Sequence, residues 1–427
     1  MQKNILIYCI GLIAFCSIGC KSFKPHTTSA IISDAPVPGA YLTEIYFPLL
    51  ANKRIGVFSN HTSVIGTTHL VDSLVSSGIN VTCIYAPEHG FRGTAEAGAP
   101  TGDYIDERTG IPVISLYGKK MKPTANDFAH VDLLLFDIQD VGCRFYTYIS
   151  SLQYFMEAAL EQSKPLMILD RPNPNGFYID GPVLDTAFKS FVGMQPIPIV
   201  YGMTIGEYAL MIAGERWLQS EVANQRFHDY QKAENFTNTA SQIQLIKCTN
   251  YTHQSKYLLP IAPSPNLNTM AEIYAYPSTC FFEGTVLSEG RGTPTPFLIF
   301  GHPDYNKHLF SFMPTANVGS AHPKHENQIC YGWQISSDTR QLLHEFNHQI
   351  QLKYLMDAYQ LFPKKEAFFL QPSSGKTKDY FFNKLAGNDD LQKQIVAGIS
   401  ESEIRKTWQA SIEKFKAIRA KYLLYPD

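Results

Sequence analysis

Four short clusters of Asn, Asp, Glu, His and Arg, each following an apolar run, are where this chain could do chemistry. They are Ser59-Asn60-His61-Thr62, Tyr85-Ala86-Pro87-Glu88-His89-Gly90-Phe91-Arg92-Gly93, Asp137-Ile138-Gln139-Asp140-Val141-Gly142-Cys143-Arg144 and Asp170-Arg171-Pro172-Asn173-Pro174-Asn175. Carboxylates beside imidazole, amide and guanidinium groups are the apparatus of proton transfer and of holding a polar ligand. One polar loop after a strand is ordinary solvated connection; four with this shared chemistry read as parts of one site. The Glu88 loop is the most telling, because Pro87 stiffens its approach while Gly90 and Gly93 permit tight turns around a carboxyl group.

An open parallel sheet is the scaffold that would position such loops, since its strand carboxyl ends lie along one edge. The apolar runs at 54–58, 79–85, 111–116, 131–136 and 165–169 read as strands, and 68–77 and 148–161 as helices. Their alternation predicts an α/β fold, a Rossmann-like doubly wound domain over about 37–200. Past Tyr201 the texture changes to a helix at 205–218, a polar stretch at 220–252 and two more distinctive loops. These are Ser264-Pro265-Asn266-Leu267-Asn268-Thr269 and Phe282-Glu283-Gly284-Thr285-Val286-Leu287-Ser288-Glu289-Gly290-Arg291-Gly292-Thr293. Helical patterns at 338–352, 354–360 and 402–422 read as scaffold, with Trp408, Ile412, Phe415 and Ile418 at core spacing.

A doubly wound domain invites a nucleotide, but the phosphate-cradling G-x-G-x-x-G is missing: Gly56 lies within its strand and the turn carries Ser59-Asn60-His61. A formal charge of -2 offers no basic field for nucleic acid. Neither H-E-x-x-H nor another zinc-ligand spacing occurs, so no metal or other cofactor is expected. There is no G-x-S-x-G elbow for an esterase. Cys83, Cys143, Cys248, Cys280 and Cys330, an odd number without CxxC spacing, read as buried small hydrophobes rather than a disulfide framework. Cys143, lying in a site loop, is the one to watch as a thiol nucleophile.

The first residues carry a different signal. Lys3, an apolar run over 5–15 and Ser17-Ile18-Gly19-Cys20 make up a signal peptide over 1–20, too short to span a bilayer. The last four residues resemble a bacterial lipobox, which implies cleavage before Cys20, lipidation of its thiol and a membrane-anchored envelope protein, facing the periplasm. Residues 21–36 read as a flexible tether.

The Glu88 block, Asp137 through Tyr148, Asp170 through Pro174, and Glu283 through Thr293 together resemble the signature blocks of the NamZ-type exo-β-N-acetylmuramidases, glycoside hydrolase family 171. The resemblance runs from about residue 40 to the end. It implies a Rossmann-like domain without nucleotide and a smaller C-terminal α/β domain over 201–427, with the site in the cleft between them. It also implies removal of N-acetylmuramic acid from the non-reducing ends of peptidoglycan fragments.

Glycoside cleavage generally needs an acid for the leaving oxygen and a second group, usually a carboxylate, as base or nucleophile. Glu88 is the expected acid; Asp137, Asp140, Glu283 and Glu289 are the candidates for the second role, each with an ion pair or helix cap as the plainer reading. Muramic acid differs from glucosamine by a lactyl carboxylate, which a guanidinium matches bidentately. Arg92, Arg144, Arg171 and Arg291 are the candidates, though each could instead brace a loop. Asn60, His89, Asn173, Asn266 and Asn268 could read hydroxyl and acetamido groups, and Tyr146, Tyr148 and Tyr201 could stack on the pyranose. A non-catalytic cell-wall glycan-binding lipoprotein, or a hydrolase of another amino sugar, is the alternative.

Overall fold

The computed structural model describes residues 35–88, 90–93, 102–232 and 242–427. The expected signal peptide with Cys20, all of the tether but its last two residues, and His89 lie outside them. The strands are β1 (Ile55–Ser59), β2 (Val64–Ile65), β3 (Thr68–His69), β4 (Val81–Ala86), β5 (Tyr104–Ile105), β6 (Pro112–Ser115), β7 (Leu133–Asp137), β8 (Leu166–Leu169), β9 (Ile243–Ile246), β10 (Ile299–His302), β11 (Phe310–Phe312) and β12 (Cys330–Gln334).

The large sheet has the order β5-β6-β4-β1-β7-β8-β9, parallel throughout except for the β5 edge. Setting β5 aside, the parallel strands stand third, second, first, fourth, fifth and sixth in chain order, the doubly wound arrangement of dinucleotide-binding sheets. Successive strands run one way from β1 and then the other, which opens a crevice at the carboxyl ends beside β1. The sheet does not end at residue 200, where the sequence places the boundary: its sixth strand is β9. That strand lies within the stretch read as polar, a four-residue edge strand with its middle two side chains half-exposed, too short for a legible alternation.

Both faces of the sheet are covered, which is why its strands read as unbroken apolar runs. Ile55 and Val57 of β1 and Leu133 and Leu135 of β7 pack with helices α1 (Thr43–Leu50) and α2 (Leu70–Ser76). Phe58, Leu134 and Phe136 face the other way, toward α3 (Tyr148–Glu161) and α4 (Ile205–Gly214). There Phe58 stacks on Phe136 at 4.9 Å and meets Phe155 at 4.8 Å. This second core continues without a break into Phe281, Phe282, Phe300, Trp408, Ile412 and Phe415.

The C-terminal part consists of helix α5 (Glu221–Lys232), whose chain returns to the sheet as β9, then α6 (Met270–Thr279), the antiparallel sheet β10-β12-β11 and further helices. Thr269 and Glu272 form a capping box at the start of α6, fixing the loop that precedes it. The pattern at 338–352 is broken: a helix runs Thr339–Phe346 and stops where Asn347 turns left-handed at φ 44. Among the described residues no helix is long and apolar enough to cross a membrane.

Candidate active site

Glu88 follows β4 by two residues, on a turn closed by the Gly90 N–H donating to the Pro87 carbonyl at 3.1 Å. Gly90 and Gly93 have φ of 73 and 74, as the tight loop requires. A Cβ at Gly93 would also meet the His61 ring at 2.6 Å, so this loop packs directly on the one after β1. The Tyr117 hydroxyl, just past β6, donates to Glu88 Oε1 at 3.1 Å, and the Thr147 hydroxyl, at the start of α3, donates to Oε2 at 3.2 Å. Two strand ends and one helix start therefore hold this carboxyl group.

Glu88 opens onto a cavity of about 280 Å³, whose wall includes Tyr117, Tyr146, Thr147, Tyr148, Phe191, Ser264, Asn266, Tyr276, Glu283, Arg291, Phe297 and Phe381. A wider chamber of about 500 Å³ shares Glu88, Glu283, Arg291 and Phe381 with it and adds Glu289, the 319–323 loop and Lys324. The two are one continuous cleft. Tyr146 and Tyr148 meet edge to face at 4.8 Å, and both hydroxyls donate to the Pro263 carbonyl, at 2.8 and 3.3 Å. Burial pushes both phenols well up, with Glu88 adding to the effect on Tyr148, so they act as neutral donors.

The far wall carries a charge chain. Arg291 donates to Glu283 at 2.6 Å and lies 3.4 Å from Glu289, whose other oxygen is 3.1 Å from Lys324 Nζ. Burial opposes charge on Arg291, but Glu283 and Glu289 more than restore it, and its pKa is raised. Burial likewise disfavours the Glu289 carboxylate, yet Lys324 and Arg291 hold its pKa below the usual value. The Lys324 ammonium also donates to the carbonyls of Phe282, Glu283, Thr285 and Leu287 at 2.9–3.1 Å, gripping the loop that bears both glutamates.

Several expected site residues are turned to other work. Asp137 and Arg171 form a bidentate pair at 2.6 and 2.8 Å, both fully buried and away from the cleft. Asp140 accepts from the Tyr201 hydroxyl at 2.5 Å and the Gly142 N–H at 2.7 Å, so neither Asp140 nor Tyr201 reaches the cavity. Arg144 donates to the carbonyls of Pro182, Ile197 and Leu385, the bracing role open to any buried arginine. Arg92 forks onto Asp72 and Asp106. Asn173 binds the Met203 carbonyl, and Asn268 is held by Pro265 and Glu272. Asn60 stands behind the wall, donating to the Tyr148 hydroxyl at 2.8 Å. Cys143 is wholly buried, its thiol pushed well up by that burial, which leaves it protonated rather than nucleophilic.

Of the candidates, Glu88, Glu283, Glu289, Tyr146, Tyr148, Asn266 and Arg291 share the cleft. Tyr117 was legible as the residue after another strand end, and Thr147 sits inside a quoted block. Phe191, Phe381 and Lys324 carried no local signal: only tertiary packing brings them here.

The chain matches the N-terminal domain of the exo-beta-N-acetylmuramidase NamZ family over residues 55–271 and its C-terminal domain over 274–425, so the family's own division falls well past 200. It is 36% identical to the peptidoglycan beta-N-acetylmuramidase NamZ of Bacillus subtilis, over all of both chains. Crystal structures of two DUF1343 family proteins of Bacteroides fragilis are also similar. One is 43% identical with a TM-score of 0.78, covering 92% of this chain and 99% of that one. The other is 27% identical with a TM-score of 0.74, covering 91% and 99%. With both domain matches in order and a full-length relative beside them, the chain belongs to the NamZ exo-β-N-acetylmuramidase family.

Proposed function

We propose that this protein is an exo-acting glycoside hydrolase that releases N-acetylmuramic acid from the non-reducing end of peptidoglycan fragments, with Glu88 as general acid. The observation that carries the reading is that Glu88 and Glu283 line one cavity from the two halves of the chain, the paired carboxyl groups glycoside cleavage calls for. Glu88 protonates the leaving oxygen, and Glu283, or Glu289 beside it, serves as base or nucleophile. Burial sets Asp137 and Asp140 aside. Arg291, alone among the arginine candidates in lining the cleft, is the cation for the lactyl carboxylate. A small chamber opening into a wider one suits a single terminal sugar with its leaving partner beyond it. No cofactor is proposed.

A muramic acid–glucosamine disaccharide should be split into its two sugars, and a chromogenic β-N-acetylmuramide should be turned over in preference to the β-N-acetylglucosaminide. Preference for the glucosaminide would point to another amino sugar, and binding without turnover to a glycan-binding lipoprotein. Anchoring through Cys20 in the bacterial envelope, facing the periplasm, belongs to the same reading. Cys20→Ala should free the protein from membranes or leave it unprocessed, and unchanged fractionation with unchanged processing would remove the anchor.

A further inference from the structure

The two hydroxyls on Glu88 reach it by different routes. β4 and β6 pair in register, Ala86 opposite Ser115, and the Leu116 N–H extends the ladder by donating to the Ala86 carbonyl at 2.8 Å. Glu88 and Tyr117 each stand two residues past that pair, so the parallel register itself sets the phenol beside the carboxyl group, 3.1 Å from Oε1. Thr147 is the residue before α3, where a threonine side chain ordinarily caps the first turn. It makes no cap bond, and its hydroxyl donates to Glu88 Oε2 at 3.2 Å instead. Both residues line the smaller cavity with Glu88.

An acid that gives up its proton becomes an anion, and that charge is best met by donors already in place. A hydroxyl suits the task, because its hydrogen bond to a carboxyl oxygen strengthens as that oxygen gains charge. Tyr117 keeps its hydrogen: burial, with Glu88 beside it, pushes the phenol well up. Its ring rests against Phe191, 6.3 Å between centroids, and Phe191 in turn stacks on Tyr154. We infer that Tyr117 and Thr147 are positioning residues for the proton transfer, one on each oxygen of Glu88, which hold the carboxyl group and stabilise the charge left on it. This rests on the reading of Glu88 as general acid. The proton passes to the glycosidic oxygen as that oxygen's bond to the anomeric carbon breaks, and the electron pair of the carboxyl O–H bond stays on Glu88, where the two hydroxyls meet it.

The test is a series of aryl β-N-acetylmuramides whose leaving groups run from a nitrophenol to unsubstituted phenol, with the muramic acid–glucosamine disaccharide at its end. A nitrophenolate departs with little help from a proton, whereas the sugar oxygen needs one. Tyr117→Phe and Thr147→Val take away a hydroxyl and keep the shape. Each should lose least on the nitrophenyl substrate and fall further behind as the leaving oxygen becomes more basic, to roughly tenfold in kcat on the disaccharide, the size of one charge-assisted hydrogen bond. KM and melting temperature should change little. Glu88→Gln, run along the same series, sets the scale. If its deficit climbs while the two hydroxyl variants lose an equal factor on every substrate, or lose nothing, the proposal falls and the acid reading stands. If Glu88→Gln itself loses an equal factor throughout, the acid reading falls and the proposal with it.

Discussion

At Glu88 the difference between an acid and a structural carboxylate is measurable. Proton transfer from a positioned side chain contributes ~10²–10⁴-fold, so Glu88→Gln should lower turnover of the disaccharide by about that factor with little change in melting temperature. A nitrophenolate leaves without needing a proton, so the deficit on an activated aryl muramide should be much smaller. Equal, near-wild-type rates on both substrates would remove Glu88 from the mechanism and leave Glu283 and Glu289 to be tested. Asp140 makes the opposite kind of prediction. Burial pushes its pKa up to about 6, against the pull of Tyr201 and Gly142. A carboxyl whose folded pKa lies above its unfolded value contributes stability that is complete below the unfolded pKa and lost as pH rises through the folded one. The wild type's stability margin over Asp140→Asn should therefore shrink by about 1 kcal/mol between pH 5 and pH 8. A margin independent of pH, measured by denaturant melts at both values, would show that Asp140 ionises normally.

The loop from Phe282 to Arg291 is tied to its neighbours by isolated backbone bridges at Thr285 and Ser288 and gathered from inside by Lys324, so that one side chain should matter to the whole element. Lys324→Met removes the ammonium that the carbonyls of Glu283, Thr285 and Leu287 share and leaves Glu289 short of a cation, an expected loss of about 3 kcal/mol. Turnover should fall with it, because Glu283 and Arg291 ride on the same loop; an unchanged melting point would mean the loop holds its own shape. Such an element marks the limit of reading by sequence. Helix α3 is found at 148–161 as its periodicity predicts, and the covered strands announce themselves as apolar runs. β9 escaped because an edge strand half in solvent has no such run. Site residues were legible where they follow a strand end, as Glu88 does, or share a distinctive block, as Glu283 and Arg291 do. Asp137, Arg144 and Arg171 have the same residue types in the same kind of loop, yet they satisfy one another or the backbone in the interior. Only burial separates those two fates, and no local pattern encodes it.

For the molecule as a whole, two family domains do not mean two folding units. The apolar core beneath α3 and α4 runs unbroken into Phe281, Phe300 and Trp408. The chain end is sewn into the large sheet: Tyr425 donates to the buried Asp170 at 2.6 Å, and the Leu424 N–H donates to Glu207 at 2.7 Å. Arg144 reaches from the sheet side to the Leu385 carbonyl at 2.7 Å, and Arg419 from the last helix to the Gly202 carbonyl at 2.6 Å. Residues 35–427 accordingly form one compact unit. Domains joined this closely melt together, because parting them would expose a buried apolar face on each, take the Tyr425 hydroxyl from Asp170 and take the Gly202 carbonyl from Arg419. Calorimetry should therefore show a single transition whose van't Hoff and calorimetric enthalpies agree. A fragment ending at residue 271 should be insoluble or molten, and one ending near 200 worse, since it also lacks β9. Two resolved transitions, or a 35–271 fragment that melts cooperatively alone, would mean that the cleft lies between independently stable bodies whose relative motion must be counted in catalysis. A single transition would instead fix Glu88 and Glu283 in one rigid frame, so that their separation is set by the fold and not by domain closure.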